Sequence, residues 1–228
     1  MNFDISPVFI SVKTSITATV ITFFIGIFAA RFMSNYKGKL KNILDTVFTL
    51  PLVLPPTVVG YLLLLLFGKN GPLGQFLIKF EYTIIFSWPA TVIAATVVAF
   101  PLMYRTSRGA FEQIETNVVN AARTLGASEW KIFYKVILPL ALPGVASGTL
   151  LSFARALGEF GATLMIAGDI PNRTQTIPVA IYFAAEDGNM NEALIWVIII
   201  VIISMIVIFS MNIWFQKGTK KARKKYSY

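Results

Sequence analysis

The stretch "NAARTLGASEWKIFYKVILPLALPG", Asn120 to Gly144, decides how this chain is read. It holds two short amphipathic segments in an otherwise apolar sequence. Residues 117–125 form one helix, with Val118, Ala121, Ala122 and Leu125 on one side and Asn120 on the other. Gly126 ends it, since glycine adopts the left-handed backbone of a helix C-terminus at no steric cost. After Ala127, Ser128 is placed to cap a second helix, in which Trp130, Phe133, Tyr134 and Ile137 recur at i, i+3, i+4 and i+7. Pro139 and Pro143 predict a break before the next apolar run.

Outward from this loop the chain belongs in a bilayer. Of 228 residues, 56% are hydrophobic and 14% charged, far too apolar for a soluble domain. A spanning helix needs about 20 apolar residues, and runs over 7–30, 43–67, 84–104, 138–166 and 193–215 qualify. None shows the alternation of a barrel strand. The expectation is an all-α integral membrane protein with five, at most six, transmembrane helices. The start "MNFDISPVF" lacks a basic leader region, so no cleaved signal peptide is expected. Cysteine and histidine are both absent, which argues against thiol, metal and histidine acid–base chemistry.

The net charge of +9 is distributed by loop rather than by surface. Four basic residues (Arg31, Lys37, Lys39, Lys41) follow the first run, five (Arg105, Arg108, Arg123, Lys131, Lys135) surround the opening stretch, and six lie between Lys217 and Lys225. The intervening loops hold Lys69, Lys79 and Arg173. The positive-inside rule puts the N-terminus outside and the C-terminus in the cytoplasm. The charge is then spent on topology and anionic lipid, and no nucleic-acid partner is expected.

Two spans carry polar or breaking residues. In the second, Pro51, Pro55 and Pro56 disfavour a straight helix, a break tolerated only where neighbouring groups satisfy the freed carbonyls. In the fourth, Gly144, Gly148, Ser152, Arg155, Glu159 and Thr163 fall within a sector of roughly 100°. Ionisable groups at bilayer depth face a bundle interior or a watery path. Ser152, Arg155, Glu159 and Thr163 are therefore candidates for a translocation pathway, with a structural ion pair as the alternative. Arginine preceding glutamate is the weaker order within one helix, so partners on other helices are an option. Trp196 and Trp214 bracket the last run as interfacial anchors.

The loop resembles the EAA loop of ABC-transporter permeases: an alanine pair, a glycine four residues later and a closing Ile-Leu-Pro, here Ala121, Ala122, Gly126, Ile137, Leu138 and Pro139. Asn120 replaces the acidic first residue of that motif. Together with "LPLVLPPTVVGYLLLLLFGKNGPLG" (50–74) and "FARALGEFGATLMIAGDIPNRTQTIPVAIY" (153–182), it is similar to the molybdate permeases of bacterial ABC importers over most of the chain. Asp169 stands where asparagine is expected. The resemblance implies a type I ABC importer permease fold over 7–215 with a basic cytoplasmic tail over 216–228. It implies coupling helices that engage a separate ATPase, with Asn120, Ala121, Ala122, Leu125, Gly126, Ala127, Trp130, Phe133, Ile137 and Pro139 as contact residues. It also implies a homodimer in the cell membrane and an extracytoplasmic molybdate-binding protein. ATP and Mg would be held by the ATPase, with no cofactor and no catalytic residue in this chain; no G-x-x-x-x-G-K-[ST] is present. Alternatives within the class are tungstate or sulfate as cargo. From other classes they are an ATP-independent channel or carrier, and a membrane enzyme, which the missing histidine and cysteine disfavour.

Overall fold

The computed structural model describes residues 4–225, with side chains as far as 210 and at Ile213. In chain order the helices are α1 (Ser6–Asn35), α2 (Lys41–Val53), α3 (Pro56–Phe67), α4 (Pro72–Ile78), α5 (Trp88–Glu112), α6 (Thr116–Thr124), α7 (Glu129–Ile132), α8 (Leu138–Leu157), α9 (Gly161–Ala167), α10 (Ile177–Glu186) and α11 (Met190–Lys225). Four helical segments are long and apolar enough to cross a membrane, and a fifth crossing forms if α2 and α3 count as one bent span. α10, with ten residues, is too short to be a sixth.

The core is built from small and hydroxylated faces. α1 buries Ser11, Thr14, Ser15, Ala18, Thr22, Ala29 and Ala30, and exposes Phe9, Phe24 and Phe28. This inverts the soluble pattern because lipid is as apolar as leucine, so helices gain by close backbone approach. Most of these hydroxyls are paired, though the buried Thr22 hydroxyl has no hydrogen-bond partner among the described residues. Ser15 and Thr19 donate to carbonyls one turn back at 2.7 and 2.6 Å, and Thr14 meets Thr91 of α5 at 2.9 Å while accepting the Trp88 indole N–H at 3.0 Å. α8 packs along the other side of α5, where Ser152 donates to the Ala99 carbonyl at 3.4 Å. α3 and α9 lie so close that a Cβ on Gly60 would sit 2.8 Å from the Ala162 Cα; any larger residue there must separate them.

As its prolines predict, the second apolar run is not one straight helix: α2 and α3 meet at 114°, turning at Leu54 and Pro55. The breaks expected in the fourth run are corrected. The chain does not break at Pro139 or Pro143; α8 runs through both. A π-helical turn over Phe133–Ile137 precedes it, closed by Leu138 N–H on the Phe133 carbonyl. That wider turn relieves the clash of the Pro139 ring with the preceding turn. At Pro143, which lies inside α8, Ser147 donates its hydroxyl to the Pro143 carbonyl at 3.0 Å. The fourth run does break later, after Leu157, and resumes as α9.

Trp196 is 2% exposed and packs with Ile177 and Ala180 instead of anchoring at an interface. The Trp214 side chain and those of the basic tail lie outside the described residues, although the α11 backbone continues to Lys225.

Candidate functional site

The loop between α5 and α8 folds as its local signals direct. α6 ends with Leu125 N–H on the Ala121 carbonyl (3.2 Å) and Ala127 N–H on the Ala122 carbonyl (3.2 Å). Gly126 sits between them at φ +74, and a Cβ built there meets nothing within 4 Å. The requirement for glycine is therefore one of backbone conformation alone. Ser128 caps α7, accepting from Lys131 N–H at 3.4 Å. Arg123 clamps the two helices together through Glu129, at 2.7 Å (Nε–Oε1) and 3.2 Å (Nη2–Oε2). Asn120, at the motif's acidic position, accepts from Arg123 Nη1 at 3.1 Å and so holds that clamp.

Among polar neighbours α6 exposes an apolar stripe: Val118 and Leu125 are 41% and 87% exposed and Ala121 is exposed, while Ala122 is half-buried against the core. No residue of α6 is buried. An apolar stripe on a short helix outside the spans is a surface for a partner groove. In the second helix the expected face is corrected. Ile132 and Ile137 are the buried pair, packed with Met33, Tyr104 and Phe111. They lie five residues apart, a spacing that the π turn aligns and a 3.6 period does not. Phe133 is half-buried, whereas Trp130 and Tyr134 stack on each other at 6.0 Å and line a groove against Phe24 and Phe28 of α1. Ala127 is half-buried and Pro139 exposed.

A polar tie missed by sequence reading fixes α2 to the end of α5 that leads into α6. Arg108 pairs with Asp45, and with Glu112 at 2.8 Å; Tyr104 donates to Asp45 at 2.7 Å. The i, i+4 spacing of Tyr104, Arg108 and Glu112 was visible; that Asp45 meets them depends on the tertiary fold.

The polar stripe of α8 lies mostly inside the subunit. Ser152, Glu159 and Thr163 are 0%, 2% and 1% exposed, enclosed within the subunit rather than presented on its surface. Only Arg155, with its side chain 28% exposed, reaches the outside. The intrahelical pair does form: Arg155 Nη1 lies 2.7 Å from Glu159 Oε2. Glu159 Oε1 accepts the Ala162 N–H at 2.8 Å, so the same carboxylate caps α9 after the chain break. Small and hydroxylated faces in lipid mark helix contacts as readily as pathways, and here they mark contacts.

Beyond α9, Gly168 turns the chain at φ +68 into a knot in which the Ile170 carbonyl accepts from residues 173, 174 and 175. Burial holds the Asp169 carboxyl above its usual range; Gln175 opposes this and the charge of Asp187 adds to it. The folded chain thus keeps a proton that the unfolded chain has released, and stability falls as pH rises through that interval. Asp169→Asn is expected to remove this fall and raise the unfolding midpoint near neutrality, read by thermal unfolding from about pH 4 to 7. An unchanged pH profile would contradict the assignment.

Comparison with known proteins places these features in context. Residues 22–221 match the family model described as "Binding-protein-dependent transport system inner membrane component". The molybdenum transport system permease protein ModB of Haemophilus influenzae is 38% identical over 219 residues, 96% of each chain. Its namesake in Escherichia coli K12 is 48% identical over 176 residues, 77% of each chain. Among solved structures, the bacterial alginate ABC transporter in complex with its alginate-bound periplasmic protein superposes with a TM-score of 0.79 at 15% identity, covering 95% of this chain and 79% of that one. The inward-facing MetNI methionine ABC transporter gives 0.75 at 18% identity, covering 93% and 94%.

Proposed function

This chain belongs to the binding-protein-dependent transport system inner membrane components, and on that premise we propose that it is the molybdate-translocating subunit of an ATP-driven importer. It is a multi-pass membrane permease with the type I ABC importer fold. The observation that carries the cargo is near full-length identity to named molybdenum permeases. The proposed assembly is a homodimer joined to ABC ATPases on the side of α6 and α7, and to a molybdate-binding protein on the other. In this reading that first side is cytoplasmic and the N-terminus outside, which the distribution of lysine and arginine supports. The functional unit spans 7–215, with 216–228 as a basic cytoplasmic tail. ATP and Mg belong to the ATPase, and this chain binds no cofactor.

The geometry suggests how force would travel. The exposed apolar stripe of α6 fits a groove of the ATPase. α6 follows α5 within a few residues and is clamped to α7, which continues through the π turn into α8. A displacement of α6 is thereby delivered to both α5 and α8. ATP binding would draw the loops of two copies together and open the route outward, and hydrolysis would reset it.

The direct test is uptake of labelled molybdate by cells with and without this chain, challenged with excess tungstate or sulfate. Uptake that requires the chain, yields to tungstate and resists sulfate is expected. Equal inhibition by sulfate would move the cargo to sulfate, and uptake indifferent to the chain would overturn the assignment.

A further inference from the structure

Between the ends of α5 and α8 that join the α6–α7 loop lies an open cavity of about 670 Å³, lined by Arg105, Thr106 and Gln113 on one wall and Pro143, Gly144 and Ser147 on the other. Arg105 is exposed into it and forms no hydrogen bond or ion pair among the described residues. Its neighbour Arg108 pairs with Asp45 and Glu112, and Arg105 acts on Asp45 only through its charge, without an ion pair. Glu115, beyond the end of α5, is the acidic residue of the lining.

The cavity continues along one face. On α8, Ser147, Leu151, Ala154 and Gly158 are exposed at helical spacing, and this face leads to Arg155. Eight residues from Ser147 to Arg155 cover about 12 Å. One end of the face therefore carries an arginine paired with Glu159, and the other Arg105, which makes no ion pair among the described residues although Glu115 shares its cavity and Asp45 feels its charge.

We propose that the cavity is an oxyanion site on the cytoplasmic half of the route, with Arg105 as its cation and Ser147, Thr106 and Gln113 as polar walls. The identity of the anion rests on the transport reading above; the charge preference of the site does not. A guanidinium presents several donors in a fixed fork that suits a tetrahedral oxyanion. The Arg105 guanidinium attracts an anion without caging it, and the Glu115 carboxylate in the same lining weakens the hold, as a site that must release its cargo requires. Thr106 and Ser147 now donate to Leu102 and Pro143 carbonyls at 2.8 and 3.0 Å; rotation of either hydroxyl would turn it toward a bound anion.

The chain contains no cysteine, so Ser147→Cys places a unique thiol in the cavity. In inverted membrane vesicles carrying the complete transporter, a sulfonate-bearing thiosulfonate should label it about fivefold faster than a trimethylammonium-bearing one, each scaled to its rate with a free thiol. Arg105→Gln should erase the preference and Arg105→Lys should keep it, while added molybdate should slow labelling. Protection by sulfate but not molybdate would support the anion site and contradict the molybdate reading. Failure of both reagents to label, or a preference that survives Arg105→Gln, would overturn the proposal.

Discussion

Gly126→Val is expected to reduce uptake by about tenfold or more while the protein remains in the membrane at normal level. A left-handed backbone costs an L-residue about 1–2 kcal/mol, and a β-branched one more. Since the surrounding space is open, the chain would relax by leaving φ +74, and α6 would swing relative to α7. The Gly126–Arg123 and Ala127–Ala122 backbone bonds and the Arg123–Glu129 clamp would all be lost or redirected. α6 has no fully buried residue and touches the core only through the half-buried Val119 and Ala122, so the membrane body should be little affected. Gly126→Asn should retain uptake, because asparagine tolerates this conformation. Wild-type uptake by the valine variant would sink the role given to the hinge.

Glu159 should divide structure from transport. Glu159→Leu removes the cap on α9 and leaves Arg155 without its counter-charge, a loss of about 3 kcal/mol for a partner removed from a largely buried pair. Glu159→Gln keeps an oxygen for the Ala162 N–H and loses only the charge, so its effect should be smaller. Adding Arg155→Gln to Glu159→Gln should restore part of the loss, since neither charge is then left alone. Thermal midpoint and yield of the assembled complex read these effects. Reduced uptake at unchanged stability would instead mark Glu159 as a pathway residue, and no change in either property would refute both roles.

What the sequence disclosed was local. Gly126, Ser128 and the spacing of Val118, Ala121 and Leu125 each act within one turn of chain, and each folds as its residue type dictates. The break at Pro139 was misjudged because the π turn that absorbs it carries no compositional mark. The same turn brings Ile132 and Ile137 together as the buried pair, which the spacing of Trp130, Phe133, Tyr134 and Ile137 does not show. On α8 the polar pattern was legible but its purpose was not, because Ser152 and Thr163 look the same whether they face a helix or a pathway. Asp45 meeting Arg108, and Trp196 turning inward, depend on contacts between distant segments that no local pattern encodes.

The central claim is that this membrane subunit moves molybdate only when a separate ATPase drives it. The decisive measurement is molybdate accumulation in proteoliposomes that hold this chain, its ATPase and its binding protein, with each component and ATP omitted in turn. Accumulation above the external concentration only when all are present is the expected result. Entry that equilibrates without ATP or without the ATPase would contradict the account and make the chain a channel or carrier.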